Sequence, residues 1–360
     1  MFNMSNTTSS NDYSEWEFEY HMAQINLILC SLSLLINLFH FYILIQKELR
    51  SLSIFILMLS ICSCDLIYLS SHTFTYSNTI RTYKRTNYCY MYDSLLVTWT
   101  LRIVSSSSTC AECSSVWLVV LMAFYRSLSV TFPLNQIVKK VTNVRATVLT
   151  MGMIIVICVC WVDFEWFFIY FIFAYSSSKS KTCLFIQDRD RSKLEVDQYR
   201  IAYTDVEFVD WKGTIEYRLM VAQLLLYFIF SISLMISLRR TSRNRKNQTA
   251  SEKKSNTTKM VLAMTLVFFA TQLYHPVLNF TLENFFPDDY EVPQPVVHIL
   301  TAFKAIFQTI LTGSHGFLSY LMSTQYRDTV HRVLGVEKKK RKNVVSVTGS
   351  LALATKTSTT

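Results

Sequence analysis

The chain has 360 residues, 51 % of them apolar, with 25 Phe, 20 Tyr, only six Gly and a formal net charge of +10. So few glycines leave little room for a phosphate-cradling loop, and no GxxxxGK[ST], HExxH or GxSxG element occurs, so the common nucleotide-driven and hydrolytic chemistries are excluded. The apolar residues fall into runs of about twenty or more, long enough to cross ~30 Å of hydrocarbon at ~1.5 Å per helical residue. Buried in lipid, a backbone must satisfy its own hydrogen bonds, and regular alternating strands are few. The expectation is an all-α bundle of seven transmembrane helices.

In chain order, a tail over residues 1–22 comes first, acidic and free of Lys and Arg as far as Tyr20. It lacks the basic and apolar regions of a signal peptide, so the first span is expected to act as its own insertion signal. Asn3 and Asn6 open glycosylation acceptor triplets there. Span one covers roughly 24–45 and holds Asn37; Lys47 and Arg50 follow it. Span two, 52–72, contains Asp65 in LSICSCDLIY. Span three, 95–125, carries Arg102 and Glu112 and ends at Tyr125-Arg126, with Lys139, Lys140 and Arg145 beyond.

Span four, 147–174, includes Asp163 and Glu165, and a long loop of mixed charge then runs to about residue 217. Within it LFI and RIAYT are short strand candidates for a hairpin. Span five, 219–238, leads into RRTSRNRK. Span six, 260–282, holds Tyr274 and the helix-interrupting Pro276. Glu283, Asp288, Asp289 and Glu291 follow with no basic residue among them. Span seven, 296–322, carries Lys304. After it LMSTQYRDTVHRVLG reads as an amphipathic helix, with Leu321, Val330, Val333 and Leu334 toward lipid and Arg327 and Arg332 toward head groups. KKKRK (338–342) fits anionic lipid, and the Ser/Thr-rich end reads either as a phosphorylation region or as a plain tail.

The placement of charge matters more than its sum. Basic residues gather after spans one, three, five and seven, which puts the N-terminus outside and the C-terminus inside and argues against a nucleic-acid partner. Of nine cysteines, seven lie in spans, while Cys89 and Cys183 lie in outer loops, where oxidising conditions permit a disulfide. Cys110-x-x-Cys113 has no second ligand pair, so it reads as buried small residues rather than a metal site. A charge at the bilayer centre costs at least ~2.5–3.5 kcal/mol, so Asp65, Arg102, Glu112, Asp163, Glu165 and Lys304 are expected to face the bundle or a wet cavity.

Taken together, LSICSCDLIY, WLVVLMAFYRSLSV, KMVLAMTLVFFA and HGFLSYLMSTQYRDTV resemble the rhodopsin-like G-protein-coupled receptors. More narrowly they resemble the nematode serpentine receptors of class W, relatives of the FMRFamide and myosuppressin receptors. The resemblance covers about residues 20–335. It implies a receptor domain over 23–325 and a cytoplasmic helix and tail over 326–360. It also implies that Arg126 and Tyr125, with Asn37, Asp65, Tyr274, Pro276 and His315, carry coupling to a heterotrimeric G protein. Arg102, Glu165, Lys304 and Tyr274 would line the ligand site, and the Cys89–Cys183 bond would tether the outer loop.

The chain departs from the family pattern in places. Tyr125 stands where an acid usually precedes the arginine, and Leu311-Thr312-Gly313-Ser314-His315 offers no Asn to reach Asp65. The resemblance further implies a plasma-membrane protein without a cofactor or enzymatic activity, with arrestin and a receptor kinase as further partners. The ligand reading is a peptide of the Arg-Phe-amide kind, drawn by the outer acidic residues. The alternatives are a small chemosensory molecule, or a transporter or channel instead of a receptor.

Overall fold

The computed structural model describes residues 9–86, 95–132, 134–164, 169–175, 198–203, 206–244 and 294–336. Expected span six with Tyr274 and Pro276, together with Cys89, Cys183, Asn3, Asn6, Glu165 and the KKKRK run, lies outside the described residues. The described chain forms α1 (Ser9–Leu44), α2 (Ser53–Thr86), α3 (Leu95–Thr131), the short α4 (Gln136–Val141), α5 (Val144–Asp163), β1 (Ile169–Tyr175), β2 (Gln198–Tyr203), α6 (Val206–Asn244), α7 (Gln294–Met322) and α8 (Thr324–Val333). Spans one to five and seven thus correspond to α1, α2, α3, α5, α6 and α7. The first five are long and apolar enough to cross a membrane.

The packing of α1 shows which solvent the sequence is built for. Asn26, Cys30, Ser33, Asn37 and His40 recur every three or four residues and are all buried, while Ile28, Leu32, Leu35, Leu38 and Phe39 are exposed. Residues at that spacing share one helix face. In water the polar stripe would point outward; here the polar stripe meets neighbouring helices and the apolar face is left for lipid. α7 carries the same device, burying Thr309, Thr312 and Ser319 and exposing Phe303, Phe307, Ile310 and Phe317.

Two apolar clusters hold the bundle together. The larger joins α1, α2, α3 and α6 through Cys30, Leu57, Tyr68, Leu69, Leu118, Val119, Tyr125 and Tyr227. The smaller, at the Arg126 end, packs Ile43, Leu44, Leu49 and Phe55 against Tyr326 and Val330 of α8. Val330 and Val333 therefore pack inward rather than toward lipid as expected, while Leu321 and Leu334 are exposed. The Ser323 hydroxyl accepts from the Tyr326 N–H, 3.2 Å, to start α8. Gly335, at φ +69°, ends it, and the Val336 N–H closes back on the His331 carbonyl at 2.8 Å.

The helices outrun the apolar runs at several ends, because a helix need not stop where it leaves hydrocarbon. α1 starts at Ser9 inside the expected tail, and α2 continues beyond residue 72 to Thr86. Span four is the opposite case. Its helix stops at Asp163, and Ile169–Tyr175, assigned by hydropathy to its outer end, is a strand. Rich in Ile, Phe and Tyr, that segment suits strand as well as helix. It pairs antiparallel with β2, Ile169 opposite Tyr203 and Phe171 opposite Ile201. The hairpin is thus an addition to a helical bundle, with Arg200–Tyr203 of RIAYT in its second strand; LFI lies outside the described residues.

Candidate functional site

The polar residues buried by α1, α2, α3 and α7 meet along one line. Lys304, Gln308, Thr312, His315 and Ser319 recur at three- and four-residue spacing on α7. At the outer end the Gln308 amide donates to the Glu112 carboxylate of α3, 2.7 Å. One step inward the Ser33 hydroxyl of α1 donates to the Thr309 carbonyl, 3.2 Å, and Cys30 meets the Thr309 hydroxyl at 3.5 Å. The Asn37 amide then donates to the Ser33 carbonyl at 3.0 Å and across to the Thr312 carbonyl at 3.2 Å. The Cys62 thiol of α2 reaches the Asn37 carbonyl at 3.5 Å, tying three helices at one asparagine.

Below it lies the most polar link. His315 Nδ1 and the Asp65 carboxylate are 2.7 Å apart, with Asp65 only 5 % exposed. With the carboxylate ionised, Nδ1–H is the donor. The missing span-seven Asn therefore does not cost the chain its bond to Asp65, since His315 supplies it. At the inner end His40 Nδ1 and the Tyr326 hydroxyl meet at 2.7 Å, joining α1 to α8. Burial holds the Tyr326 phenol well above its usual range, so it remains neutral. Glu48 and Arg332 form an ion pair on the adjoining surface.

Close approach of α7 to α1 rests on two glycines. A Cβ on Gly313 would lie 2.7 Å from Ser33 Oγ, and one on Gly316 would lie 3.1 Å from His40 Cβ. Both sit beside ladder residues, so their small size sets the reach of those bonds.

At the outer end, Glu112 is joined by an aromatic and cationic set. His72 of α2 packs on Tyr68 with ring centroids 4.3 Å apart and stacks on Tyr76 at 5.7 Å. It lies in the electrostatic fields of both Glu112 and Lys304. Arg102 is half-buried on α3, roughly three turns outward of Glu112. Trp161 of α5 donates to Glu216 of α6 at 3.1 Å, with Lys212 3.5 Å from the same carboxylate.

At the inner end Arg126 is half-buried near the close of α3, with the Tyr227 phenol of α6 in its field and no ion pair to any described carboxylate. Ser127 donates to Ser233 at 2.9 Å, and Thr131 meets Ser237 at 3.0 Å, so hydroxyl pairs join α3 to α6 around it. Tyr125 points away from Arg126 into the larger apolar cluster, 3 % exposed. Among the expected residues, then, Asn37, Asp65 and His315 fall on the ladder and Arg126 stands below it. Lys304 reaches its outer end. Glu112 with Gln308, His72, and the His40–Tyr326 pair were not singled out as site residues; the polar spacing along α7 was the signal for the first.

Helices with lipid-facing apolar sides and a polar interior define a multi-pass membrane protein. Residues 24–337 match the family model for the serpentine type 7TM GPCR chemoreceptor Srw, and the chain belongs to that family. No curated protein matches it. Membership implies an extracellular ligand and a G protein as partners, in a family that is generally non-enzymatic.

Proposed function

We propose that the chain is a plasma-membrane chemosensory receptor, N-terminus outside, which binds a small polar molecule between α2, α3 and α7 and activates a heterotrimeric G protein. The observation that carries this reading is the α7 ladder. It begins at Glu112, His72 and Lys304, where a ligand entering from outside would stop, and ends at α8 beside the face where Arg126 emerges. A ligand that rearranges Glu112–Gln308 or displaces α7 acts on every bond below it, and bias between two packings of α7 is what a population shift requires. A carboxylate and an ammonium on facing helices suit a ligand carrying both a cationic and an anionic or carbonyl group. Arg126 would meet the G protein, and phosphorylation of the tail would recruit arrestin.

A second reading, an Arg-Phe-amide peptide, is favoured by the acidic run Glu283, Asp288, Asp289 and Glu291 with no cation nearby in sequence. The two readings separate in one assay, second-messenger output in cells bearing the chain and a broadly coupling Gα. A small-molecule response lost in Glu112→Gln and in Lys304→Met, with surface level preserved, supports the first. A response confined to amidated peptides and insensitive to Glu112→Gln supports the second. Either response must vanish in Arg126→Ala; current or uptake that survives this change would replace both with a transporter or channel.

A further inference from the structure

One residue beyond Glu112 on α3, Cys113 turns to α5, where its sulfur lies 3.3 Å from that of Cys158. Both are free thiols. Neither belongs to the ligand or coupling residues, and CxxC spacing with Cys110 does not account for the contact, since Cys113 turns to a different helix. We infer that Cys113 and Cys158 are an oxidant-sensitive thiol pair, which a peroxide converts to a disulfide clasping α3 to α5 within the membrane-spanning bundle.

The geometry needs little change. A disulfide places its sulfurs ~2.05 Å apart, so they must approach by roughly 1.2 Å, within reach of a side-chain rotation or a small shift of one helix. The chemistry balances with hydrogen peroxide as the oxidant. One sulfur attacks the O–O bond, giving a sulfenic acid and one water. The second sulfur displaces the hydroxyl of that sulfenic acid, forming the S–S bond and releasing a second water. In total two thiols and one peroxide give one disulfide and two waters.

Peroxide is small and uncharged and enters hydrocarbon, whereas glutathione is charged and is excluded at the cost that any buried charge meets there. The clasp once formed would therefore persist beyond the time expected of a surface disulfide in a reducing compartment. Cys160, two residues along α5, is exposed on another face and has no thiol beside it among the described residues, so it serves as the internal control.

The test uses the full chain in native membranes with a protease site inserted in the loop between Phe132 and Asn143, in a Cys89→Ser, Cys183→Ser background so that an outer-loop disulfide cannot itself join the halves. Membranes are treated with hydrogen peroxide, blocked with a maleimide, cleaved and run in detergent without reductant. The expected result is that the two halves stay joined as the major species, separate on adding dithiothreitol, and yield a linked Cys113–Cys158 peptide lighter by two hydrogens. Cys113→Ser and Cys158→Ala should each abolish the link, and Cys160→Ser should leave it intact. Halves that separate after peroxide in that background would overturn the inference, as would a link that persists in Cys113→Ser or maps to another cysteine. The readout is covalent, so it stands whether or not the chain signals through a G protein.

Discussion

Asp65 is the one buried carboxylate among the described residues. A carboxylate this deep is tolerated because His315 bonds it, and removing one partner of such a pair leaves an uncompensated buried group, at a cost of about 3–5 kcal/mol. His315→Ala is therefore expected to lower the melting temperature of the detergent-purified receptor sharply. Asp65→Asn with His315→Asn, which restores two groups able to bond each other, should recover a large part of the loss. Equal melting temperatures for His315→Ala and the unsubstituted chain would show that the pair carries no stability. Asp65 itself was legible in the sequence, because an acid in an apolar run must face inward; its partner was not, because a histidine in another span is placed by tertiary packing. Asn37 was legible only through the resemblance, and its two carbonyl partners are backbone atoms that no sequence pattern marks.

At the scale of elements, α7 explains both what the sequence revealed and what it concealed. Polar residues at Lys304, Gln308, Thr312, His315 and Ser319 dilute its hydropathy, yet the remaining faces are apolar and the helix runs unbroken from Gln294 to Met322. Gly313 and Gly316 let it sit against α1. Gly313→Ala should accordingly destabilise by about 1–3 kcal/mol through overpacking on Ser33. A Cβ on Gly152 of α5 would meet nothing within 4 Å, so Gly152→Ala should be neutral or gain up to about 1 kcal/mol from helix propensity. Thermal unfolding of the two variants side by side checks the contrast, and equal effects would refute the role of close approach. α5 teaches the reverse lesson. Hydropathy extended it through residue 174 because Ile, Tyr and Phe are as apolar in a strand as in a helix, and only pairing with β2 distinguishes them.

For the whole molecule, the stripe of buried polar side chains and the apolar exterior leave a bilayer as the only solvent in which every face is satisfied. The direction of insertion is a separate matter, decided by charge at the loops rather than by packing. Lys47, Arg50, Lys139, Lys140 and Arg145 lie at the Arg126 end, as does Arg332, whose Glu48 partner lies between α1 and α2. If that end is retained in the cytoplasm, as we propose, Asn3 and Asn6 enter the lumen during synthesis and Asn247 and Asn256 do not, although all four open the same acceptor triplet. Glycosidase treatment of the receptor from secretory cells should thus increase its gel mobility. The shift should disappear in Asn3→Gln with Asn6→Gln and persist in Asn247→Gln with Asn256→Gln. The opposite pattern would invert the bundle, place Arg126 outside, and remove the physical basis for coupling through it. An arginine reaching beyond the membrane serves a G protein only on the side where G proteins are.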